Sequence, residues 1–348
     1  MDGAASSTPK TMFRWVQKLY NALGFKKGYN FILFFIFGGA WMGFTLARLE
    51  YLDFSTFCRN AVPGECFYYK GTGYIGLYLH LGCILPAAFL AFFQFVPAIR
   101  YKAILFHRIN GYTIILLVLL SNVGALMIAR HTFGGTLSTQ AVVGLLVILS
   151  TCAIGMAYYN VKRLQLEQHR AWMLRAFFYV RPLLTKGNLF AHLLNVVTKQ
   201  MGCIITTRII MIISTAIISI SPKYYMAQPC DKLDFIIGRE QTLESYPDCA
   251  SFYNGSKPDQ NALVLGDFNG NGDKIGAALN LNFGMAFWLA LFLHAIGVEI
   301  YLQMTPKESH RLRKISYTRQ LEAGYKHPGR AGLTVDKFGD SEPWVPET

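Results

Sequence analysis

The sequence predicts an all-α fold: a polytopic membrane helix bundle of about six transmembrane helices, or seven if one more polar segment also spans. Hydrophobic residues make up 53% of the 348 residues and charged residues only 15%, whereas soluble domains carry roughly 25% charged residues. The apolar residues also gather into long runs, each near the ~20 residues that cross ~30 Å of hydrocarbon. The mean hydropathy of +0.30 agrees with this class.

Six runs are candidate spans, at about 31–50, 74–97, 109–129, 140–160, 203–221 and 283–304. Residues 1–30 are too polar for a cleavable signal peptide, so we expect the first run to remain as an anchor. The predicted domains are a cytoplasmic N-terminal arm (1–30), a helical membrane core (31–221), a lumenal loop (222–282), the last span (283–304) and a basic cytoplasmic tail (305–348).

The distribution of Lys and Arg orients this bundle. Basic residues in the arm, in the second-to-third and fourth-to-fifth connections and in the tail all fall on one side, which the positive-inside rule makes cytoplasmic. The loop at 222–282 carries five basic and eight acidic residues. We therefore expect a multi-pass protein, of the endoplasmic reticulum, with both termini cytoplasmic. Orientation in a lipid bilayer explains the net charge of +13, and we expect no nucleic-acid partner.

Two features of the predicted lumenal loops agree with this orientation. Asn254 begins an Asn-Gly-Ser sequon, which predicts a glycoprotein if the loop faces the lumen. Four cysteines also lie in these loops and allow two disulfides in an oxidising compartment, with the pairing left open: Cys58, Cys66, Cys230 and Cys249.

Residues 180–200, VRPLLTKGNLFAHLLNVVTKQ, do not form a clean span because Pro182, Gly187 and two lysines interrupt them. One interpretation is an interfacial, partly helical segment on the cytoplasmic side. The other is a translated intron, since the segment has 21 residues, begins with Val and ends with Gln, and its removal would join AFFY directly to MGCIITTRIIM. The sequence leaves both open.

Ionisable and polar side chains in apolar spans are costly and therefore mark candidate functional residues. His80 and Gln94 lie on roughly one face of the second span, although a histidine bonded to a neighbouring helix would look the same. His107 begins the third span. With its Arg neighbour it also fits a simple role in snorkelling and orientation.

The stretch QHRAWMLR places His169 and Trp172 three residues apart, on one helical face that Arg175 continues. We expect this face to line a cytoplasm-facing pocket shared with His107. In the last span, Trp288, Phe292 and Glu299 recur at helical spacing. A carboxyl in hydrocarbon favours its protonated form, so Glu299 is a candidate proton donor, unless the aromatic residues face lipid and Glu299 pairs with a basic residue.

The block from His80 to Arg208 resembles a family of predicted multi-span membrane proteins defined by a domain of unknown function. The resemblance covers about 130 residues and rests on these motifs: Leu79-His80 with Gln94, His107-Arg108-x-x-Gly111, Gly134-Gly135, His169-Arg170-x-Trp172-Met173-x-Arg175, and Arg208. The 180–200 segment is a departure inside it. Similar fungal chains include integral-membrane meroterpenoid terpene cyclases.

The resemblance implies a terpene cyclase, an isomerase or lyase of fungal secondary-metabolite biosynthesis. Such an enzyme protonates a farnesyl-type side chain or its epoxide and closes rings through a carbocation. The expected partner is a lipophilic prenylated small molecule, and no cofactor or metal is expected. The candidate catalytic residues are Glu299, His80, His107, His169 and Arg175; the candidate substrate-binding residues are Trp172, Trp288, Phe292 and Gln94.

A transmembrane b-type haem protein is the alternative. His107 and His169 fall at one predicted face of the membrane, and His80 and His131 fall towards the other. Paired histidines near each face are what two haems would need as axial ligands. A transporter, scaffold or receptor also stays open, although the sequence shows no internal repeat.

Overall fold

The apolar runs form helices because a backbone in hydrocarbon has to satisfy its own N–H and C=O groups. The computed structural model describes residues 17–25, 28–178, 203–339 and 341–346. Segment 180–200 lies outside the described residues. The helices are α1 (Gly28–Ala47), α2 (Phe54–Asn60), α3 (Thr72–Gln94), α4 (Pro97–Lys102), α5 (Ile104–Ile128), α6 (Leu137–Lys162), α7 (Leu166–Phe178), α8 (Cys203–Ile220), α9 (Cys230–Ile237), α10 (Arg239–Ser245), α11 (Ala250–Tyr253), α12 (Gly272–Gln303) and α13 (Pro306–Glu322).

The predicted fold class is confirmed: the chain is a polytopic helical membrane protein. Helices α3, α5, α6 and α12 are long and apolar enough to cross a membrane. The apolar helices α1 and α8, of 20 and 18 residues, coincide with the two other predicted spans. A count of six spans stays a prediction.

The chain folds as two compact units. Unit 1 comprises Met1–Asp53 and Tyr78–Val123, and unit 2 comprises Phe54–Leu77 and Gly124–Thr348. In unit 1, α1 packs on α3, where the Trp41 indole N–H donates to the Ala88 carbonyl at 2.9 Å. A Cβ at Gly38 would lie 2.9 Å from the Phe92 ring, so a glycine is needed at this approach.

The core of unit 2 lies between α6, α8 and α12. Its fully packed members are all apolar: Val142, Met211, Phe283, Ala286, Phe287, Ala290 and Leu291. Small residues on α12 let α8 approach closely, while the phenylalanines fill the space nearer its start. This core positions one end of the candidate site.

The predicted lumenal loop, 222–282, contains strands and short helices. Strands β1 (Tyr225–Pro229) and β2 (Asn261–Leu265) pair antiparallel, with Tyr225 opposite Leu265. The disulfide Cys230–Cys249 lies in a small apolar core beneath them. Helix α12 also begins at Gly272 rather than near residue 283. These 11 extra residues add about 16 Å of helix, and their polar side chains hid them from a search for apolar spans.

The predicted basic tail forms α13 and a return segment that docks on the end of α6. Gln165 and Gln320 are both buried and bond to each other at 2.9 Å. The Gln165 amide N–H donates to the Gly329 carbonyl, and the Leu333 N–H donates to the Asn160 side chain. A polar network therefore holds the tail against the helical bundle.

Candidate functional site

On the predicted cytoplasmic side, α7 carries the QHRAWMLR stretch against α12. The Arg175 guanidinium donates two hydrogen bonds to the Glu299 carboxylate, at 2.7 and 2.8 Å. Its Cζ also lies 4.6 Å from the centre of the Trp172 ring. The structure thus brings together three residues that the sequence predicted as site residues.

The surroundings expected for Glu299 need correction. Its side chain is 51% exposed, and both carboxylate oxygens accept N–H bonds from Arg175. The pairing with a basic residue, which the sequence left as the alternative, is therefore the one observed.

The other members of the stretch also tie helices together. The Nδ1 atom of His169 lies 2.9 Å from the Ala157 carbonyl on α6. Burial lowers the pKa of His169, and this hydrogen bond opposes the shift. Arg170 donates to the side-chain oxygens of Tyr301 and Thr305 at 3.3 and 3.1 Å. The motif therefore anchors α7 to α6 and to the end of α12.

The predicted aromatic stripe of α12 lies on its outer face. Trp288 is 39% exposed and Phe292 61% exposed, and the Trp288 indole donates to the Ser138 carbonyl. The buried face instead carries Phe283 and Phe287. Both faces have apolar residues at helical spacing, so periodicity alone did not distinguish the lipid-facing face from the packed one.

In unit 1 the predicted polar seam bonds α3 to α5. The Nδ1 atom of His80 lies 2.9 Å from the Ser121 hydroxyl and 3.1 Å from the Ser121 carbonyl. The Gln94 amide donates to the His107 carbonyl at 3.1 Å. The seam therefore has a structural use, and a catalytic or substrate-binding role for His80, His107 or Gln94 stays a prediction. His107 belongs to unit 1 and His169 to unit 2, so their shared pocket stays a prediction as well.

Two further histidines, His131 and His294, have partners of their own. His131 stacks on Tyr68 with ring centres 4.7 Å apart, and the Nε2 atom of His294 lies 2.9 Å from the Thr206 hydroxyl. Within the described part of the chain, no group of three or more His, Cys, Asp or Glu residues is placed to hold a metal ion.

A second cluster, which the sequence analysis missed, lies near the start of α12 in unit 2. We call it the Glu65 cluster: Glu65, Tyr69, Phe133, Arg208 and Lys232. Glu65 is 4% exposed and follows Gly64, whose φ of +76° turns the carboxyl inwards. The Tyr69 hydroxyl donates to Glu65 at 2.7 Å, and the Phe133 N–H donates to its two oxygens at 3.0 and 3.1 Å.

Phe133 joins this carboxyl to an aromatic stack. Its φ of +47° is rare for a bulky residue and costs about 1–3 kcal/mol. The Glu65 carboxyl holds the N–H of this strained residue, and the ring stacks on Phe283 with centres 3.8 Å apart. Phe287 meets Phe283 edge-on at 5.6 Å. The Arg208 guanidinium lies 4.5 Å from the centre of the Phe133 ring, so the stack already accommodates a cation.

Burial dominates the electrostatics of the cluster. It raises the pKa of Glu65 above the usual 4.5, although the Phe133 N–H, the Tyr69 hydroxyl and the positive charges of Lys232 and Arg208 oppose this shift. Burial lowers the pKa of Lys232, and the charge of Glu65 opposes that change. Glu65 is thus a buried carboxyl whose proton is held more tightly than usual.

A buried amide adjoins the same turn. A Cβ at Gly134 would lie 2.8 Å from the Cβ of Asn280, so the two residues are in close contact. Asn280 is 1% exposed, and among the described residues neither its Nδ2 nor its Oδ1 atom has a hydrogen-bond partner. A buried amide with a donor and an acceptor unused requires an explanation, and a bound polar group is one.

Sequence reasoning overlooked Glu65, Lys232 and Asn280 because each lies outside the predicted spans or in the unrecognised start of α12. Two neighbours of the cluster, Gly134 and Arg208, did belong to the quoted motifs. The stretch PGECFYYK was the available signal for this site, because it places Glu65 among cysteine and aromatic residues in a short connection between helices.

The structure also describes the predicted disulfide and glycosylation positions. The four loop cysteines form the pairs Cys58–Cys66 and Cys230–Cys249, which resolves the pairing that the sequence left open. Asn254 is exposed, and its side chain accepts a hydrogen bond from the Ser256 N–H. Glycosylation there stays a prediction.

The comparisons with known proteins agree with this architecture. Residues 77–226 match the model of a family described as "Predicted membrane protein (DUF2306)". The chain is also similar to the Ava biosynthesis cluster protein G of Aspergillus versicolor, with 25% identity over 316 residues that cover 80% of this chain and 90% of that protein. No solved structure matches. The resemblance to a family of predicted membrane proteins is thus confirmed over the region that runs from α3 to β1.

Proposed function

We propose that the chain is an integral-membrane terpene cyclase of secondary-metabolite biosynthesis. One observation carries the proposal: a buried carboxyl, Glu65, is held by hydrogen bonds beside a stack of three phenylalanine rings. An acid next to aromatic faces is the chemistry that a cation-generating cyclisation needs. The name of the Aspergillus relative supports a role in metabolite biosynthesis.

Glu65 is the proton donor in this proposal. Its raised pKa keeps a proton on the carboxyl at higher pH than in water. The O–H bond breaks as the proton passes to the terminal alkene or epoxide oxygen of the prenyl chain, and the electron pair stays on the carboxylate. A neighbouring double bond then attacks the electron-poor carbon and closes the ring, and loss of a proton from the final cation gives an isomer of unchanged mass.

The surroundings of Glu65 serve the same chemistry. The rings of Phe133, Phe283 and Phe287 offer negative faces to a developing carbocation and exclude water that would quench it. The unused donor and acceptor of Asn280 suit an oxygen function on the substrate. A prenylated substrate partitions into lipid, which agrees with a site whose phenylalanines Phe283 and Phe287 lie on an apolar helix.

Five of the sequence-derived candidates have other roles in the proposal. Arg175 and Trp172 hold Glu299 at the other end of α12, where the pair positions α7 rather than donating a proton. Trp288 and Phe292, on the outer face, are placed to meet a lipophilic molecule arriving from the bilayer. Localisation in the endoplasmic reticulum with cytoplasmic termini is part of the same proposal, supported by the two disulfides near the start of α12.

The test compares single variants in microsomes that express the full chain. Farnesylated phenols and their epoxides are added, and mass spectrometry follows a cyclised isomer of unchanged mass. We expect Glu65→Gln to lower turnover at least about 100-fold, the typical contribution of a general acid. Glu244→Gln is the matched control, because Glu244 is exposed on α10.

The outcomes separate the two acids. Loss of turnover in Glu65→Gln but not in Glu299→Gln, with both proteins present in the membrane, supports Glu65 as the acid. The reverse pattern would return the role to Glu299. A wild-type chain that cyclises none of the prenylated phenols or epoxides would remove the cyclase proposal.

A further inference from the structure

A basic pocket lies where the C-terminal tail docks on the end of α6, away from the residues considered above. It has a volume of about 630 Å³, within the range of ligand sites. Arg163, at the end of α6, faces Lys326, Arg330 and Lys337 of the tail across this space. None of the described residues that line it is acidic.

The pocket is built rather than accidental, because its two walls are joined by buried hydrogen bonds. Gln320 donates to the Arg163 carbonyl at 3.0 Å, and its own side-chain oxygen accepts from the Gly329 N–H. Both Gln165 and Gln320 are at most 1% exposed. The basic side chains therefore converge on a fixed frame.

The charge balance of the pocket favours an anion with more than one negative charge. Arg330 is paired with Asp336, which offsets one positive charge. Arg163, Lys326 and Lys337 remain, and Tyr159 and Tyr325 add hydroxyl groups to the lining. A phosphate monoester carries about −1.5 to −2 at neutral pH, so a phosphorylated headgroup matches this site better than a singly charged one.

The position of the pocket indicates a lipid rather than a soluble ligand. Helix α6 is long and apolar enough to span a membrane. The exposed Tyr158 and Tyr159 lie near its end, as is usual where a span leaves the membrane. The 3-10 turn Val335–Phe338 adjoins the pocket through Lys337. Phe338 is 90% exposed and Val335 65% exposed, which suits insertion between lipid headgroups.

We propose that this pocket binds the headgroup of a phosphorylated inositol lipid of the cytoplasmic leaflet. The phosphates lie among Arg163, Lys326 and Lys337, while Phe338 enters the adjoining bilayer. Such binding would fix the tail, and with it the ends of α6 and α7, to the membrane surface. The proposal does not depend on the cyclase activity, and its test measures binding alone.

The test uses the purified full chain in detergent and three probes: a short-chain phosphatidylinositol monophosphate, a short-chain phosphatidylcholine and the soluble inositol bisphosphate headgroup. Binding is measured by thermophoresis. We expect the inositol lipid to bind, the choline lipid not to bind, and the free headgroup to bind about tenfold more weakly because it lacks apolar contact with Phe338.

Matched variants locate the site. The double variant Lys326→Gln, Lys337→Gln should weaken binding of the inositol lipid about 30-fold, since each lysine near an anionic surface contributes roughly a factor of five. Lys307→Gln with Lys314→Gln removes the same charge from exposed positions of α13 outside the pocket and should change the affinity less than twofold. Phe338→Ala should weaken binding of the lipid but not of the free headgroup.

Three results would overturn the proposal. Equal affinity of the pocket variant and the wild type would exclude this pocket as the binding site. Equal binding of the choline lipid would show that the phosphorylated headgroup is not recognised. Equal binding of the free headgroup would make the ligand a soluble phosphorylated molecule and not a lipid.

Discussion

Replacement of Glu65 by Ala tests whether the buried carboxyl holds its surroundings together. The change removes the acceptor of the Phe133 N–H and one partner of the Tyr69 hydroxyl, which keeps Thr132 at 2.9 Å. An unsatisfied buried N–H costs about 1–3 kcal/mol. The Phe133 turn is then held less firmly, so the ring stack with Phe283 also weakens, at about 0.5–1.5 kcal/mol.

Together these losses amount to about 3 kcal/mol. At roughly 2 °C per kcal/mol, the lower end of the range for larger domains, the melting temperature should fall by about 6 °C. The assay is the loss of the monodisperse protein peak after heating in detergent, followed by the intrinsic fluorescence of the chain. Glu65→Gln keeps one acceptor for the Phe133 N–H and should lose about half as much.

The control for this series is Glu244→Ala, which removes an exposed carboxylate and should change the melting temperature by no more than about 1 °C. Tyr69→Phe removes a single donor and should cost about 1 kcal/mol. A Glu65→Ala protein that melts within about 2 °C of the wild type would refute the reasoning, because the turn at Phe133 would then not depend on the carboxyl.

Four further predictions concern titration, the second acid and the lumenal side. Burial raises the pKa of Glu65 above its usual 4.5, so between these two values the folded chain keeps a proton that the unfolded chain has lost. The free energy of unfolding therefore falls as pH rises through this window. Melting curves recorded across this pH range should show the fall, and Glu65→Gln should flatten it. A double-mutant cycle of Arg175→Gln and Glu299→Gln, measured by thermal unfolding, should give a coupling energy of about 1 kcal/mol or less, because Glu299 is half exposed. A coupling energy above about 3 kcal/mol would indicate a desolvated ion pair. Endoglycosidase treatment should shift the mobility of the wild type but not of Asn254→Gln, and an unshifted wild type would argue against a lumenal loop. Peptide mapping without reduction should recover the pairs Cys58–Cys66 and Cys230–Cys249, and any crossed pair would contradict the arrangement of the loops.

The membrane helices were predictable because the relevant signal is local. A run of about 20 apolar residues needs no partner elsewhere in the chain to favour a helix in hydrocarbon, and each predicted span coincides with a helix. The start of α12 was not predictable in this way. Asp273 and Asn280 are polar in sequence but buried in the structure. Asp273 bonds to the folded segment between α8 and α12, and Asn280 packs against the turn at Gly134.

The same distinction between local signals and long-range contacts applies to the candidate site. QHRAWMLR was recognised because His169, Trp172 and Arg175 recur at the spacing of one helical face, and Trp172 and Arg175 lie together in the structure. Glu65 was overlooked because its burial depends on Phe133, 68 positions further along the chain. No periodicity near residue 65 reports that contact, so a long-range contact decides where the buried acid lies.

Glu65 and Glu299, the two acids considered as proton donors, differ in their exposure and in their hydrogen bonds. Each lies near an arginine that stacks on an aromatic ring: Arg175 on Trp172 beside Glu299, and Arg208 on Phe133 beside Glu65. Glu299 is half exposed, and its two carboxylate oxygens accept N–H bonds from Arg175. Glu65 is buried, and desolvation outweighs the groups that would stabilise its charge. In the proposed function, a carboxyl that holds its proton beside three aromatic rings suits a general acid, and the turnover of Glu65→Gln is the measurement that tests this assignment.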